Sequence, residues 1–284
     1  MKRIFIAGAT GFLGRHILNE LVKSNKIYIS LRDFRKIDKK IYNFKNLKCF
    51  KKQDKKLSFD FLINCIANTN TQSNDWEEIY KSNCLTNIKL LKNLKYNCFI
   101  YFSSFSVFSK DSIKKKVADP NNFYGLSKYL SEKIIEQKSN SNKISIVLRL
   151  PIVIGKTKKQ VDIINYFHSK LKNNKKIKLF NKGKLKKNII HYNEVVLIIK
   201  SIIKENPFKK KFNIYHLNSS NLLTVNNICQ YMKKKIKSKS KIVFVKNKNS
   251  ESFNSIIIKN SIKVKNYKEK KITQNLDNFM NEFL

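Results

Sequence analysis

Short apolar runs alternate along the first 150 residues with stretches in which apolar residues recur at helical spacing. The short runs have the length and composition of buried β-strands, and the other stretches predict helices with one apolar face. The predicted strands are 2–7, 27–31, 47–50, 59–67, 98–103 and 144–150. The predicted helices are 12–24, 77–94 and 124–137. This alternation predicts an α/β fold in which helices cover both faces of a doubly wound parallel sheet.

The pattern weakens after Pro151, where shorter elements are expected. Helices are predicted at 159–173, 193–204 and 224–237, and short strands at 177–180, 213–217 and 241–246. The last 40 residues show no clear element. We therefore expect a sheet domain at 1–150 and a smaller α/β region at 151–284, with about 188–217 returning to the first domain.

The chain is strongly basic, with 60 Lys and Arg against 19 Asp and Glu and a formal charge of +41. Only five of the basic residues are Arg, although specific nucleic-acid contacts favour Arg. We therefore interpret the charge as a solvated lysine surface in a compositionally biased chain. An anionic partner is the alternative: nucleic acid, an anionic membrane surface or a phosphorylated substrate.

Cysteine and histidine usage predicts neither disulfides nor a metal site. The five cysteines form no CxxC pair, and the four histidines are dispersed, so reduced thiols are expected. The apolar runs are too short to cross a bilayer, and Gly8 comes too early for a secretory leader. We expect a soluble, cytoplasmic protein with no membrane span.

A glycine-rich loop joins the first predicted strand to the first predicted helix. It contains three of the six glycines in the chain and runs Gly8-Ala9-Thr10-Gly11-Phe12-Leu13-Gly14. Such a loop lets the backbone approach a pyrophosphate, which the amino end of the helix then binds. The predicted cofactor-binding residues are Gly8, Thr10, Gly11, Phe12, Leu13 and Gly14. Residues 1–150 are thus expected to form a dinucleotide-binding, Rossmann-like domain.

The end of the second strand indicates which dinucleotide is bound. An acidic residue there would accept the ribose hydroxyls of NAD, but Arg32 occupies the expected position. Arg32 with Arg35 or Lys36 would hold a 2′-phosphate, so we favour NADP(H). NAD(H) is the alternative, because a shift of one residue in the end of the strand would make Asp33 the acidic residue that accepts the ribose hydroxyls. Asp54 is a candidate for the adenine edge.

Three further side chains suggest acid–base chemistry. Ser104 follows the strand 98–103, and Tyr124 and Lys128 lie four residues apart on one face of a predicted helix. A lysine ammonium beside a tyrosine stabilises the tyrosinate and lowers the tyrosine pKa. Ser104 would hydrogen-bond the reacting oxygen at the carboxyl edge of the sheet, where such folds bind ligands.

These motifs resemble the extended short-chain dehydrogenases/reductases of the NAD-dependent epimerase/dehydratase family, most of which act on nucleotide sugars. The resemblance covers nearly the whole chain. Its motifs are GATGFLG (8–14), FLINCIAN (61–68), SSFSVF (103–108), YGLSK (124–128), LRLPIVIG (148–155) and NIIHYNEVV (188–196). It implies a nicotinamide cofactor, a nucleotide-sugar substrate and a substrate-binding role for the C-terminal region.

The resemblance also implies roles for individual residues. Ser104, Tyr124 and Lys128 become the catalytic residues, and Tyr124 and Lys128 also contact the cofactor. Ala67 and Asn83 are expected to bind the cofactor. Ser104, Ser106 and Lys187 are expected to bind the substrate.

Departures from the family pattern bear on the reaction. Ile152 replaces a common substrate-binding Asn, Lys156 replaces a common Pro, and Leu85 departs from a Gly-Thr step. Phe105, which is not a carboxylate, follows Ser104 and argues against dehydration. We favour reduction of a 4-keto nucleotide sugar by NADPH, with a 4-epimerase holding NAD tightly as the alternative.

Two expectations concern partners. The resemblance implies a homodimer formed through the helices 77–94 and 124–137, and we expect Trp76 to be a packing residue. A non-catalytic, RNA-binding protein of this fold is the alternative from another class. The presence of Ser104, Tyr124 and Lys128 disfavours that alternative, so nucleic acid is not the expected partner.

Overall fold

The computed structural model describes residues 1–30, 44–70, 75–157, 162–205, 210–246, 254–258 and 267–284, without the side chain of Lys52. The chain divides into two compact units. Unit 1 comprises the described residues of Met1–Leu150, Val196–His216 and Ile262–Tyr267. Unit 2 comprises the described residues of Pro151–Val195, Leu217–Ser261 and Lys268–Leu284.

The elements of the described ranges are numbered here in chain order. The strands are β1 (Arg3–Ala7), β2 (Lys26–Ile29), β3 (Leu47–Cys49), β4 (Ser58–Asn64), β5 (Lys95–Ser104), β6 (Ile144–Leu150), β7 (Ile152–Ile154), β8 (Ile177–Phe180), β9 (Lys186–Lys187), β10 (Ile189–His191), β11 (Phe212–His216), β12 (Leu223–Thr224) and β13 (Ile242–Val245). The helices are α1 (Phe12–Leu21), α2 (Trp76–Tyr80), α3 (Thr86–Asn93), α4 (Ser112–Lys115), α5 (Phe123–Lys138), α6 (Ile163–Lys172), α7 (Tyr192–Glu205), α8 (Val225–Ile236) and α9 (Ile272–Asn281). Single turns of 3-10 helix are Lys52–Lys56, Phe105–Val107 and Asn181–Gly183.

Unit 1 is built on a seven-stranded parallel sheet, which confirms the predicted Rossmann-like fold. The strand order is β11-β6-β5-β4-β1-β2-β3, and every neighbouring pair is parallel. The order reverses between β1 and β4, and folds of this kind bind ligands where the carboxyl ends of the strands flank such a reversal. The loops after β1, β4 and β5 are therefore the first place to look for a site.

Apolar side chains from both the strands and the helices fill the core of unit 1. Tyr101, Phe59 and Phe99 are buried in the sheet, and Ile135 packs on them from α5. Because both faces of these central strands are covered, their sequences are apolar in consecutive positions instead of alternating.

The predicted helix 77–94 is present as helical backbone over 76–93, and its middle has π geometry, which the sequence did not predict. A π turn, Lys81–Leu85, separates α2 from α3. Such turns insert one residue into a helix and are frequent at functional sites. Asn83 lies in this turn and is buried.

Unit 2 consists of short strand pairs and three helices. Strands β7 and β10 pair in parallel, as do β8 and β13, and β9 pairs with β12 in antiparallel fashion. Helices α6, α8 and α9 cover one core that includes Phe167, Met232 and Phe279. The sequence did not predict α9. Among the helices of the described ranges, none combines the length and apolar character that a membrane crossing requires.

Phe279→Ala tests whether α9 belongs to the core of unit 2. Phe279 is fully buried, so truncation should lower the free energy of unfolding by about 3–5 kcal/mol. Urea unfolding followed by circular dichroism measures this loss. Phe180→Ala is the control, because Phe180 is 55% exposed and should lose under about 1 kcal/mol. Equal losses in the two variants would contradict the packing of α9.

Candidate active site

The glycine loop joins β1 to α1 and folds back tightly on itself. The Gly11 amide donates to the Gly8 carbonyl at 3.0 Å. A Cβ on Gly14 would lie 2.1 Å from the same carbonyl oxygen, so only glycine allows the helix to begin this close to the strand. The loop is thus held at the carboxyl edge of the sheet by close backbone packing.

The amino end of α1 suits an anion. Gly11 is exposed at the N-cap position, where no side chain caps the helix, and the first turn contains no acidic residue. A Cβ on Gly11 would meet one described atom, the Gly8 oxygen at 3.2 Å, and otherwise open space. Thr10 and Leu13 are partly exposed beside it. The residues present therefore fit a dinucleotide pyrophosphate.

Among the remaining predicted cofactor residues, the structure describes Ala67 and Asp54 but not the three basic residues after the second strand. Ala67 is partly exposed in the segment that follows β4. The Asp54 carboxylate accepts the backbone N–H of Lys51 at 2.8 Å, so it caps its own 3-10 turn. Arg32 and the segment 35–36 lie outside the described residues. Direct contact of any of these residues with a cofactor stays a prediction.

Asn83 connects the segment after β4 to helix α5. Its Oδ1 accepts the Asn68 N–H at 2.8 Å, and its Nδ2 donates to the Asn68 carbonyl at 3.1 Å and to Ser127 Oγ at 2.8 Å. Asn87 adds a second link, because it donates to the Asn83 carbonyl and accepts from Asn64 at the end of β4. The Asn83 amide is thus fully used inside the protein, where it fixes the segment that the sequence predicted to line the cofactor site.

Ser104, Ser106 and Tyr124 lie together at the carboxyl end of β5. Ser104 Oγ accepts the Ser106 N–H at 3.1 Å and lies 3.2 Å from Ser106 Oγ, and the Ser104 side chain is near enough to Tyr124 to act on the tyrosine pKa. A Cβ on Gly125 would lie 2.0 Å from the Ser106 carbonyl oxygen. The glycine therefore lets the first turn of α5 press directly onto the serine-bearing turn.

Lys128 lies one helical turn beyond Tyr124 and is almost fully buried. Its Nζ donates to the Phe102 carbonyl at 2.8 Å and lies 4.7 Å from the ring centre of Tyr101 and 5.9 Å from that of Tyr124. Burial lowers the pKa of Lys128 to about 8, because removing an ammonium from water disfavours its charged form. The lysine is thus close to the tyrosine, as predicted, and is poised to titrate near neutral pH.

The expected decrease in the Tyr124 pKa is not seen. Burial raises the pKa of Tyr124, and the nearby Ser104 hydroxyl opposes this increase. The Lys128 ammonium donates to the Phe102 carbonyl, and burial is the larger influence on the Tyr124 pKa. Tyr124 is therefore a protonated phenol at neutral pH.

The predicted substrate-binding residue Lys187 lies in unit 2, as does His191. Lys187 is partly buried on β9, and this burial lowers its pKa; its contact with substrate stays a prediction. His191 is fully buried on β10, and its Nε2 lies 2.9 Å from Glu282 Oε1. The histidine is thus a core residue with a satisfied hydrogen bond.

Sequence reasoning missed a buried ion pair directly behind the site. Glu132 on α5 binds Arg149 on β6 through two hydrogen bonds, and Ser103 donates to the same carboxylate. The position of Glu132, one turn beyond Lys128, could have been noticed in the sequence. Across the described residues, no group of three or more His, Cys, Asp or Glu side chains is arranged to hold a metal ion.

Comparison with known proteins identifies the family of this chain. The model of the NAD-dependent epimerase/dehydratase family matches residues 4–217. The dTDP-D-glucose 4,6-dehydratase of Dictyostelium discoideum is 25% identical over 259 residues, which cover 75% of this chain and 58% of that protein. The chain thus spans a little over half the length of this relative.

Solved structures share the fold at low sequence identity. UDP-N-acetylglucosamine 4-epimerase from Methanobrevibacter ruminantium M1, in complex with UDP-N-acetylmuramic acid, superposes with a TM-score of 0.83 at 18% identity, covering 99% of this chain and 98% of that one. UDP-glucuronic acid 4-epimerase from Bacillus cereus, in complex with UDP-glucuronic acid and NAD, has a TM-score of 0.79 at 15% identity and covers 99% and 100%.

The fold is Rossmann-like, and Ser104, Tyr124 and Lys128 lie at the carboxyl edge of its sheet. With three-quarters of its length matched by the family model, the chain belongs to the NAD-dependent epimerase/dehydratase family.

Lys128→Met tests the burial of the ammonium. Because the pKa of Lys128 falls from 10.5 to about 8 on folding, its charge destabilises the native state below about pH 8, and this cost disappears as the pH rises towards 10.5. The stability of the wild type relative to Lys128→Met should therefore rise by about 2 kcal/mol between pH 7 and about pH 9.5. Urea unfolding at the two pH values measures the change.

The control is Lys133→Met on the same helix. Lys133 is exposed and paired with Glu136, so its relative stability should change by less than about 0.5 kcal/mol over the same range. A pH-independent difference between the wild type and Lys128→Met would show that the ammonium is not buried.

Proposed function

We propose that the protein is a nicotinamide-dependent oxidoreductase that reduces the 4-keto group of a nucleotide sugar. The observation that carries the proposal is the grouping of three side chains: Ser104 acts on the Tyr124 phenol, and Lys128 Nζ lies 5.9 Å from the Tyr124 ring centre. These groups lie at the same edge of the sheet as the glycine loop, because β1 and β5 are parallel strands. Family membership supports a nucleotide-sugar substrate.

The residues of the site suit reduction of a carbonyl group. A reduction of this kind adds one hydride to the carbonyl carbon and one proton to its oxygen, and a bound reduced nicotinamide supplies the hydride. Tyr124 donates the proton, and its raised pKa keeps that proton in place at neutral pH. Ser104 donates a hydrogen bond to the same oxygen. The Lys128 ammonium stabilises the tyrosinate, which regains its proton from water.

The cofactor is held by backbone groups in this proposal. The N–H groups of the glycine loop and the first turn of α1 bind the pyrophosphate, and the segment 65–68 lines the nicotinamide side. Arg32 with Arg35 or Lys36 binds the 2′-phosphate of NADP(H). NAD(H) remains the alternative, supported by the Bacillus cereus neighbour, which was solved with NAD.

The side chains beside Ser104 argue against dehydration. Elimination of water needs an acid and a base next to the reacting sugar, whereas Phe105 and Ser106 follow Ser104. The chain therefore lacks, at this turn, the carboxylate that a 4,6-dehydratase reaction would use.

A second candidate function is 4-epimerisation with tightly held NAD. The names of both structural neighbours favour it, because each is a nucleotide-sugar 4-epimerase. An epimerase returns its cofactor to the starting oxidation state, whereas a reductase consumes reduced cofactor. Mass spectrometry of the copurifying nucleotide separates the two functions. NAD retained through purification supports the epimerase, and a cofactor that exchanges freely supports the reductase.

Tyr124→Phe removes the proposed proton donor. Turnover of NADPH with a panel of 4-keto nucleotide sugars should fall by about 10²–10⁴-fold, while cofactor affinity stays within about threefold. Tyr129→Phe, on the same helix, is the control and should keep full turnover. Undiminished turnover in Tyr124→Phe would exclude Tyr124 as the proton donor, and loss of cofactor binding as well would assign it a structural role.

The double variant Arg32→Ala/Arg35→Ala tests the cofactor preference. Loss of two charge-assisted contacts should raise the KM for NADPH by roughly 10- to 100-fold, with little change in the KM for NADH. Steady-state kinetics with both cofactors measure the two values. An equal change for NADPH and NADH would contradict recognition of a 2′-phosphate by these arginines.

A further inference from the structure

A buried carboxylate lies on the same face of α5 as the proposed catalytic residues. Tyr124, Lys128 and Glu132 follow one another at intervals of four residues, and Glu132 is 1% exposed. Its Oε1 accepts hydrogen bonds from Ser103 Oγ at 2.5 Å and from Arg149 Nε at 2.9 Å. Its Oε2 accepts Arg149 Nη2 at 2.6 Å. Both carboxylate oxygens therefore have hydrogen-bond partners inside the protein.

The partners of Glu132 lie on the two strands behind the site. Ser103 and Arg149 are register partners on β5 and β6, and Ser103 directly precedes Ser104. Arg149 Nη1 lies 3.3 Å from His216 Nε2 on β11, and its guanidinium lies 5.0 Å from the Phe108 ring centre. The Glu132 carboxylate on α5 thus accepts a hydrogen bond from the end of β5, next to the proposed catalytic residue Ser104.

Stability alone does not explain such a pair. Removing two charges from water costs about as much as their attraction returns, and well-packed apolar residues of similar volume often serve a fold equally well. The location of Glu132 next to Lys128 and Ser103 suggests a role in the proposed reaction instead.

We propose that Glu132 is a positioning residue that fixes the end of β5 and keeps Lys128 protonated. This inference rests on the proposed function, in which a protonated Lys128 supports Tyr124. Arg149 is the counter-ion that makes the buried carboxylate tolerable.

The surroundings of Lys128 agree with this role. The groups that act on its charge are Cys84 on the π turn, Cys65 after β4, and Glu132 on its own helix; the rings of Tyr101 and Tyr124 also face it. Burial raises the pKa of both thiols, so they are neutral at pH 7. Glu132 is the carboxylate in this set, and it opposes the decrease in the Lys128 pKa that burial causes.

The experiment separates folding from positioning. Glu132→Gln alone would leave Arg149 buried without its counter-ion and risks unfolding. Glu132→Gln/Arg149→Met removes both charges at similar volume and should fold. Glu136→Gln is the matched control, because Glu136 lies one turn further along α5 and is exposed.

Two readouts are compared between the wild type and the variants. In the first, the alkaline decline of kcat/KM should move to lower pH by on the order of one unit in Glu132→Gln/Arg149→Met, and it should stay in place in Glu136→Gln. In the second, Lys128→Met is introduced into the wild type and into the double variant, and urea unfolding is measured without cofactor at pH 7 and pH 10.

The second readout does not depend on activity. At pH 7, Lys128→Met should raise the folding equilibrium constant more in the double variant than in the wild type, by on the order of tenfold. The difference should vanish at pH 10, where Lys128 is neutral in the folded protein. A difference that is absent, or equal at both pH values, would overturn the proposal.

The outcomes also distinguish the two proposals. A wild type without nicotinamide-dependent turnover refutes the proposed function, and the unfolding measurement then decides the role of Glu132 by itself. An active double variant with the pH profile of the wild type refutes the role of Glu132 and leaves the proposed function standing.

Discussion

The burial of the Lys128 ammonium is the constraint on which the site depends. A charge removed from water requires hydrogen-bond acceptors and a nearby opposite charge, and here the Phe102 carbonyl and Glu132 supply them. The need for both fixes the distance of α5 from β5. The same distance forces glycine at position 125, where a Cβ would strike the Ser106 carbonyl. The hydrogen bond from Lys128 to the Phe102 carbonyl joins α5 to β5 and so brings Tyr124 close to Ser104.

Polar contacts between small side chains extend this arrangement to the segment after β4. Asn83 and Asn87 are buried on the helix side, and their side-chain amides hold Asn64 and Asn68 by direct hydrogen bonds. The π turn exists where Asn83 must reach both Asn68 and Ser127. The site is therefore assembled from the ends of β4 and β5, the π turn and helix α5, with the interior amides setting their spacing.

Much of the first 150 residues could be predicted from the sequence, because apolar periodicity and the glycine loop are local features. The strands β5 and β6 and the helix α5 follow directly from that pattern. The pairing of Glu132 with Arg149 could not be predicted, since it depends on a contact between residues 17 positions apart on different elements. Helix α9 was missed because its apolar stripe, Ile272, Leu276 and Phe279, is set among polar residues.

A crystal structure of the protein soaked with NADPH or with NADH tests the proposed cofactor site most directly. The account predicts a dinucleotide whose pyrophosphate lies on the amino end of α1 and whose nicotinamide lies beside the Tyr124 hydroxyl. An empty crevice at millimolar cofactor, or a Tyr124 side chain that points away from the nicotinamide, would contradict it.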